Sequence, residues 1–123
     1  MKRMKKIRIT LFLILILTSF NIFSISIEVD SLKKSIITHD NNIEKVDLLN
    51  KLAINQIISS DFDSAIVTLD KSIELSKKLN HLIGEGIAYR FLGQATAMKG
   101  DRIKAIEYFD TSISLHEDAN SPL

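Results

Sequence analysis

Cysteine is absent from the 123 residues, tryptophan is also absent, proline occurs once and glycine four times. The lack of cysteine excludes a disulfide framework, thiolate metal sites, a thiol nucleophile and lipid attachment through sulfur. The scarcity of proline and glycine over residues 28–123 argues against a strand-and-turn architecture and suits long helices. Unbalanced charge is missing too, because the net charge is +1. That total hides an asymmetry: Lys2, Arg3, Lys5, Lys6 and Arg8 are five of the 16 basic residues, so the remainder of the chain, with 15 acidic residues, is net negative. Such a balance has no footprint for nucleic acid, which needs clustered Lys and Arg to displace counterions.

What the chain does have is a long apolar run directly after the basic cluster. Ile9 to Ile27 is 19 residues without a charge, and Leu11 to Leu17 is unbroken Leu, Ile and Phe. A charged start, an apolar middle and a small-residue end at Ser24 and Ser26 fit a secretory signal cut near residues 24–27. A run of 19 uncharged residues is also just long enough to span a bilayer as an uncleaved anchor. Either way the basic cluster stays cytoplasmic and the rest faces outward, so the expected location is periplasmic or otherwise extracytoplasmic, or membrane-anchored by residues 9–27. A mature chain of roughly 97 residues without disulfides must be held by its apolar core alone.

Beyond the leader the apolar residues recur at helical spacing. Phe62, Ala65, Ile66, Leu69 and Ile73 form one stripe, and Ile103, Ile106, Phe109 and Ile113, with Leu115 one position off, form a later one. Val46, Leu49, Leu52, Ala53 and Ile57 precede the first stripe; Ala88, Phe91, Leu92 and Ala95 precede the second. Breaks fall at 39–42, 59–61, 80–84 and 99–101, with Asp61 and Asp101 placed as N-caps and Gly100 as a left-handed helix end. Shifted by 40, residues 52–80 and 92–120 are identical at nine positions, among them Asp61/Asp101, Ala65/Ala105, Ile66/Ile106, Ser72/Ser112 and Ile73/Ile113. Repetition at this period means stacked units, neither of which buries its apolar face alone.

The pattern resembles the tetratricopeptide repeat (TPR) family, in a variety with a period near 40. The second unit supplies Leu92-Gly93, Ala105, Phe109 and Ser112; the first supplies Leu52-Ala53, Ala65, Leu69 and Ser72. Thr96 and Gln56 depart from the usual aromatic of the family's first helix, and Glu117 and Lys77 stand where its shorter variety has proline. The resemblance implies an all-α fold, a right-handed α-α superhelix of helix-turn-helix units. Its parts are a signal or anchor (1–27), a leading helix and polar break (28–42), two repeats (43–80 and 82–120) and the start of a further repeat (121–123). It also implies a groove lined by the first helix of each unit, at Asp47, Asn50, Ile54 and Ile57 and then Ile87, Arg90, Gln94 and Ala97. The basic clamp that some members use for peptide C-termini is not matched, since Asp47 and Ile54 stand where Lys and Asn are needed.

No constellation for chemistry is found in the sequence. His39, His81 and His116 are far apart and lack a second ligand at i+3 or i+4, so they are expected to be solvated at helix ends. Asp61-Phe62-Asp63 fails as a calcium loop, because Ala65 and Ile66 stand where an oxygen ligand and a glycine are required. The carboxylate pairs Asp70/Glu74 and Glu107/Asp110 lie on helix surfaces rather than in a closed pocket. Gly84, Gly86 and Gly93 have the wrong spacing for a phosphate loop and are expected at the start of a helix and at a close contact. Thus no enzyme, metal or cofactor is expected, and the expected partner is a protein or peptide. The layout also resembles the exported sensory front of bacterial membrane signalling proteins, whose histidine kinase or DNA-binding output has no counterpart here. Self-association through the unfinished last repeat is the third expectation.

Overall fold

A computed structural model describes residues 1–121 of the chain, apart from the Ile22 side chain. Pro122 and Leu123, and with them most of the expected further repeat, lie outside the described residues. The described residues form five helices and no strand: α1 (Lys2–Thr38), α2 (Ile43–Ile58), α3 (Phe62–Lys78), α4 (Leu82–Met98) and α5 (Arg102–Asn120). Each helix packs on the next, and α2 also touches α4.

The turns follow from local chemistry. Asn42 Oδ1 accepts from Lys45 N at 3.0 Å, Asp61 Oδ1 from Ser64 N at 3.3 Å and Asp101 Oδ1 from Lys104 N at 3.1 Å, capping α2, α3 and α5. The three later turns share one geometry. Asp61 N donates to Gln56 O at 2.8 Å and Ser60 N to Ile57 O at 2.9 Å; His81 and Asn80 do the same with Ser76 and Lys77, as do Asp101 and Gly100 with Thr96 and Ala97. This is the Schellman ending, whose pivot residue adopts positive φ. Ser60 has φ 60°, Asn80 φ 52° and Gly100 φ 101°. Only Gly100 adopts that conformation without a Cβ penalty.

The core is three clusters along the bundle. Ala53, Leu69, Ile73, Ala88 and Leu92 form the middle; Ile57, Ala65 and Ala95 one end; Val46, Leu49 and Leu75 the other, where Ile36 of α1 packs. Small residues set how closely helices approach. A Cβ on Gly93 would stand 2.8 Å from Phe109 Cε1 and 3.1 Å from the Ala105 carbonyl oxygen, so that glycine is what lets α5 lie on α4.

Two expectations are corrected, the solvation of the histidines and the burial of the last apolar stripe. The leader and the leading helix run together as one 37-residue helix, α1, which contains no proline or glycine to interrupt its backbone. Gly84 and Gly86 stand in the first turns of α4, at the start of a helix as expected, where they admit Val46 and His81, and His116, respectively. His81 and His116 are consequently half-buried over those glycines instead of solvated. The stripe Ile103, Ile106 and Ile113 stands exposed on α5, since no other helix covers that side of it.

Candidate binding face

The eight positions implied as a groove fall on α2 and α4, two helices in contact, and form four repeat-related pairs: Asp47/Ile87, Asn50/Arg90, Ile54/Gln94 and Ile57/Ala97. Asp47, Arg90 and Gln94 are exposed; Ile54, Ile87 and Ala97 are half-buried. Asn50 and Ile57 are buried and are not groove residues in this fold. Ile57 fills the core between Ala65 and Ala95. Asn50 holds three helices together: its Nδ2 donates to the Gly84 carbonyl at 3.1 Å, and its Oδ1 accepts from Ser72 Oγ at 2.7 Å. A buried polar group carries a large desolvation cost unless paired, so this bridge between α2, α3 and α4 fixes their register. The sequence marks Ser72 as repeated, but the bridge needs Gly84, 34 residues from Asn50, and local spacing cannot show it.

At the corresponding place in the second hairpin the arrangement opens. Arg90, Ser112, Ile113, His116, Glu117 and Asn120 line a cleft of about 650 Å³. The Arg90 guanidinium stacks 4.5 Å from the Phe91 ring centre. Ser112 and His116 sit here without forming a nucleophile and base. Ser112 Oγ donates to the Gly86 carbonyl at 2.7 Å, and His116 Nδ1 meets the Ser112 carbonyl, not its hydroxyl, at 2.8 Å. The cleft sets the Arg90 cation, the Asn120 amide and the Glu117 carboxylate beside the apolar Ile113.

A second group was not anticipated from the sequence. Tyr89 and Tyr108 have ring centres 6.0 Å apart, Lys77 lies 5.7 Å from the first ring centre and Lys104 5.8 Å from the second. Lys77 Nζ donates to Tyr89 Oη at 3.3 Å and lies 3.8 Å from Glu85. The hydrogen bond to Tyr89 holds Lys77 above the usual lysine range, with the Tyr89 and Glu85 charges acting the same way and slight desolvation opposing. Four side chains from three helices thus form a ladder, with no sequence signal beyond two tyrosines 19 positions apart.

Among the described residues no three His, Asp or Glu side chains come close enough to hold a metal ion. Lys99 pairs with Asp63 across the bundle, and Lys51 with Glu28 at 3.3 Å ties α2 to α1. Helix α1 is long and apolar enough to cross a membrane or to act as a signal sequence near the N-terminus. Its residues Leu11 to Leu17 are all exposed.

Comparison with family models, with curated proteins and with solved structures gave no match in any of the three.

Proposed function

We propose that this chain is a non-catalytic, TPR-like scaffold that binds a protein or peptide on the extracytoplasmic side of a membrane, to which α1 anchors it. The observation that carries the reading is the repeated build: helices α2 to α5 are joined by three turns of one geometry, and α2 and α4 lie side by side. Stacked hairpins of this kind present a continuous surface rather than an enclosed reaction site. Asp47, Arg90 and Gln94 give that surface both charge signs and an amide, and Ile54, Ile87 and Ala97 give it apolar depth. The exposed apolar length of α1 supports anchorage, because such a helix is stable in lipid and not in water.

A photoreactive residue placed in turn at Asp47, Arg90 and Gln94, in the full chain in its native membrane, tests the reading. Adducts to one partner from these helices, and none from Asp70 or Asp110 on α3 and α5, are expected. Adducts from α3 and α5 alone, or from no position, would overturn it.

The open face of α5 favours a second reading. Ile106 is 58% exposed while its counterpart Ile66 packs on the core, so the stack has a surface ready to continue. In that reading the chain is the sensory part of a transmembrane signalling protein, or it completes its stack against a second copy.

A further inference from the structure

The helix that carries the apolar run is the same helix that packs on the folded body, and this fixes where the body stands. Its 19 uncharged residues, Ile9 to Ile27, rise about 28 Å at 1.5 Å each, close to the thickness of a hydrocarbon core. Helix α2 runs back along α1: Ile36 packs with Val46 and Leu49, Glu28 pairs with Lys51 at 3.3 Å, and Ile25, Ser26 and Val29 line a cavity of about 500 Å³ with Ile58, Ser59 and Ser60. The turn between α2 and α3 therefore lies at the level where the apolar run ends. The turn between α4 and α5 lies at the same end, because Lys99 pairs with Asp63 there and Ala95 packs with Ile57 and Ala65.

From this we infer that the bundle rests end-on against the lipid surface, with Ile58, Met98 and Ile103 entering the boundary between headgroups and acyl chains. This rests on the anchor reading of α1. All three side chains are exposed, at 60%, 62% and 77%, and each sits at or beside one of the two turns of that end. The charged groups there suit a headgroup region: Lys99, Arg102 and Lys104 are balanced by Asp61, Asp63 and Asp101, of which two are helix caps and Asp63 is paired with Lys99. Polar turn backbones and neutralised charges tolerate the interface, while aliphatic side chains gain by entering it. Ile43 and Ile83 are also exposed but belong to the opposite end of the bundle, beside the turns 39–42 and 79–81. They are exposed apolar controls at the other end of the bundle.

The natural lack of cysteine makes the test direct. Single substitutions Ile58→Cys, Met98→Cys, Ile103→Cys, Ile43→Cys and Ile83→Cys are labelled with an environment-sensitive fluorophore. The full chain is then reconstituted in phosphatidylethanolamine–phosphatidylglycerol vesicles containing a headgroup-quencher lipid. Quenching at 58, 98 and 103 is expected to exceed that at 43 and 83 severalfold, with unchanged helicity by circular dichroism. Equal, water-like signals at all five sites, in a chain shown by mass spectrometry to retain residues 1–27 and to resist carbonate extraction, would overturn the docking while leaving the anchor standing. A chain recovered from cells without its leader, and soluble, would overturn both.

Discussion

Ile73 and Ile113 hold the same place in the two hairpins, yet the first is 7% exposed and the second 56%. The contrast runs the length of both helices. In α3 seven residues are buried, including Leu69, Ser72, Ile73 and Leu75; in α5 only Ala105 and Ser112 are. Identical letters therefore have different physical duties, because α3 lies between α2 and α4 whereas, among the described residues, α5 has α4 alone. The residues buried in both helices, Ala65/Ala105 and Ser72/Ser112, all touch the helix before their own: Ala65 packs on Ile57, Ser72 bonds Asn50, Ala105 lies against Gly93 and Ser112 bonds Gly86. Of those that differ, Leu69 and Ile73 pack on Ala88 and Leu92 of α4, the helix that follows, whereas Leu75 packs back on Val46 and Leu49 of α2. A repeat thus divides into an inward set, needed in every unit, and an onward set that matters only where another helix arrives.

Breaking the onward set of the first hairpin has the largest expected effect. Leu69→Ala and Ile73→Ala each remove a side chain from the central cluster and should cost about 2–5 kcal/mol. Ile113→Ala, the exposed counterpart, should change stability by less than about 0.5 kcal/mol. Urea unfolding of the full chain in nanodiscs, followed by circular dichroism, checks the pair, and equal costs would remove the distinction between hairpins.

Next is the polar bridge. Asn50→Ala leaves the Ser72 hydroxyl in the core without its acceptor and takes from the Gly84 carbonyl its bond beyond the helix, and should cost about 1–3 kcal/mol. Arg90→Ala, at the repeat-related position on an open cleft, should stay within about 0.5 kcal/mol in the same assay.

The turns give a smaller effect of either sign. Ser60→Gly relieves a side chain held at φ 60° and should raise stability by about 1 kcal/mol, while Gly100→Ala should lower it by a similar amount.

Smallest is the exposed pair on α3. Lys78 donates to Glu74 at 2.7 Å, and that hydrogen bond, with the lysine charge, holds the Glu74 carboxyl below its usual range. A depressed folded pKa means the contribution is full above the ordinary carboxylate range and is lost as pH falls through the folded value. The slight deficit of Glu74→Gln at neutral pH should accordingly vanish in acid. Lys77 behaves in the opposite sense: its raised pKa gives a contribution that is full below the ordinary lysine range and fades as pH rises past the folded value.

Much of the fold was legible because it is written locally. The caps Asp61 and Asp101 and the pivot Gly100 act within a few residues, so spacing alone located the turns they serve. The all-helical class followed from periodicity for the same reason. What could not be read was set at a distance. Asn50 was expected in a groove because the family pattern implies that position, and the arrival of Gly84 is what buries it. Ile103, Ile106 and Ile113 looked like core because their spacing is apolar, whereas burial depends on a neighbour that no spacing reveals. The change of composition near residue 27 does not break α1, because a backbone without proline or glycine is indifferent to such a change.

That indifference gives α1 a geometrical role. Between Ile27 and the buried Leu32 there is no joint, so the compass bearing of the body around the α1 axis is set by residue count alone. Adding one residue in that interval would swing the whole bundle by about 100° and lift it by about 1.5 Å. Adding seven would restore nearly the original bearing. In the anchored reading proposed above, the chain carries its orientation as a phase, stored in the number of residues between the apolar run and the folded body.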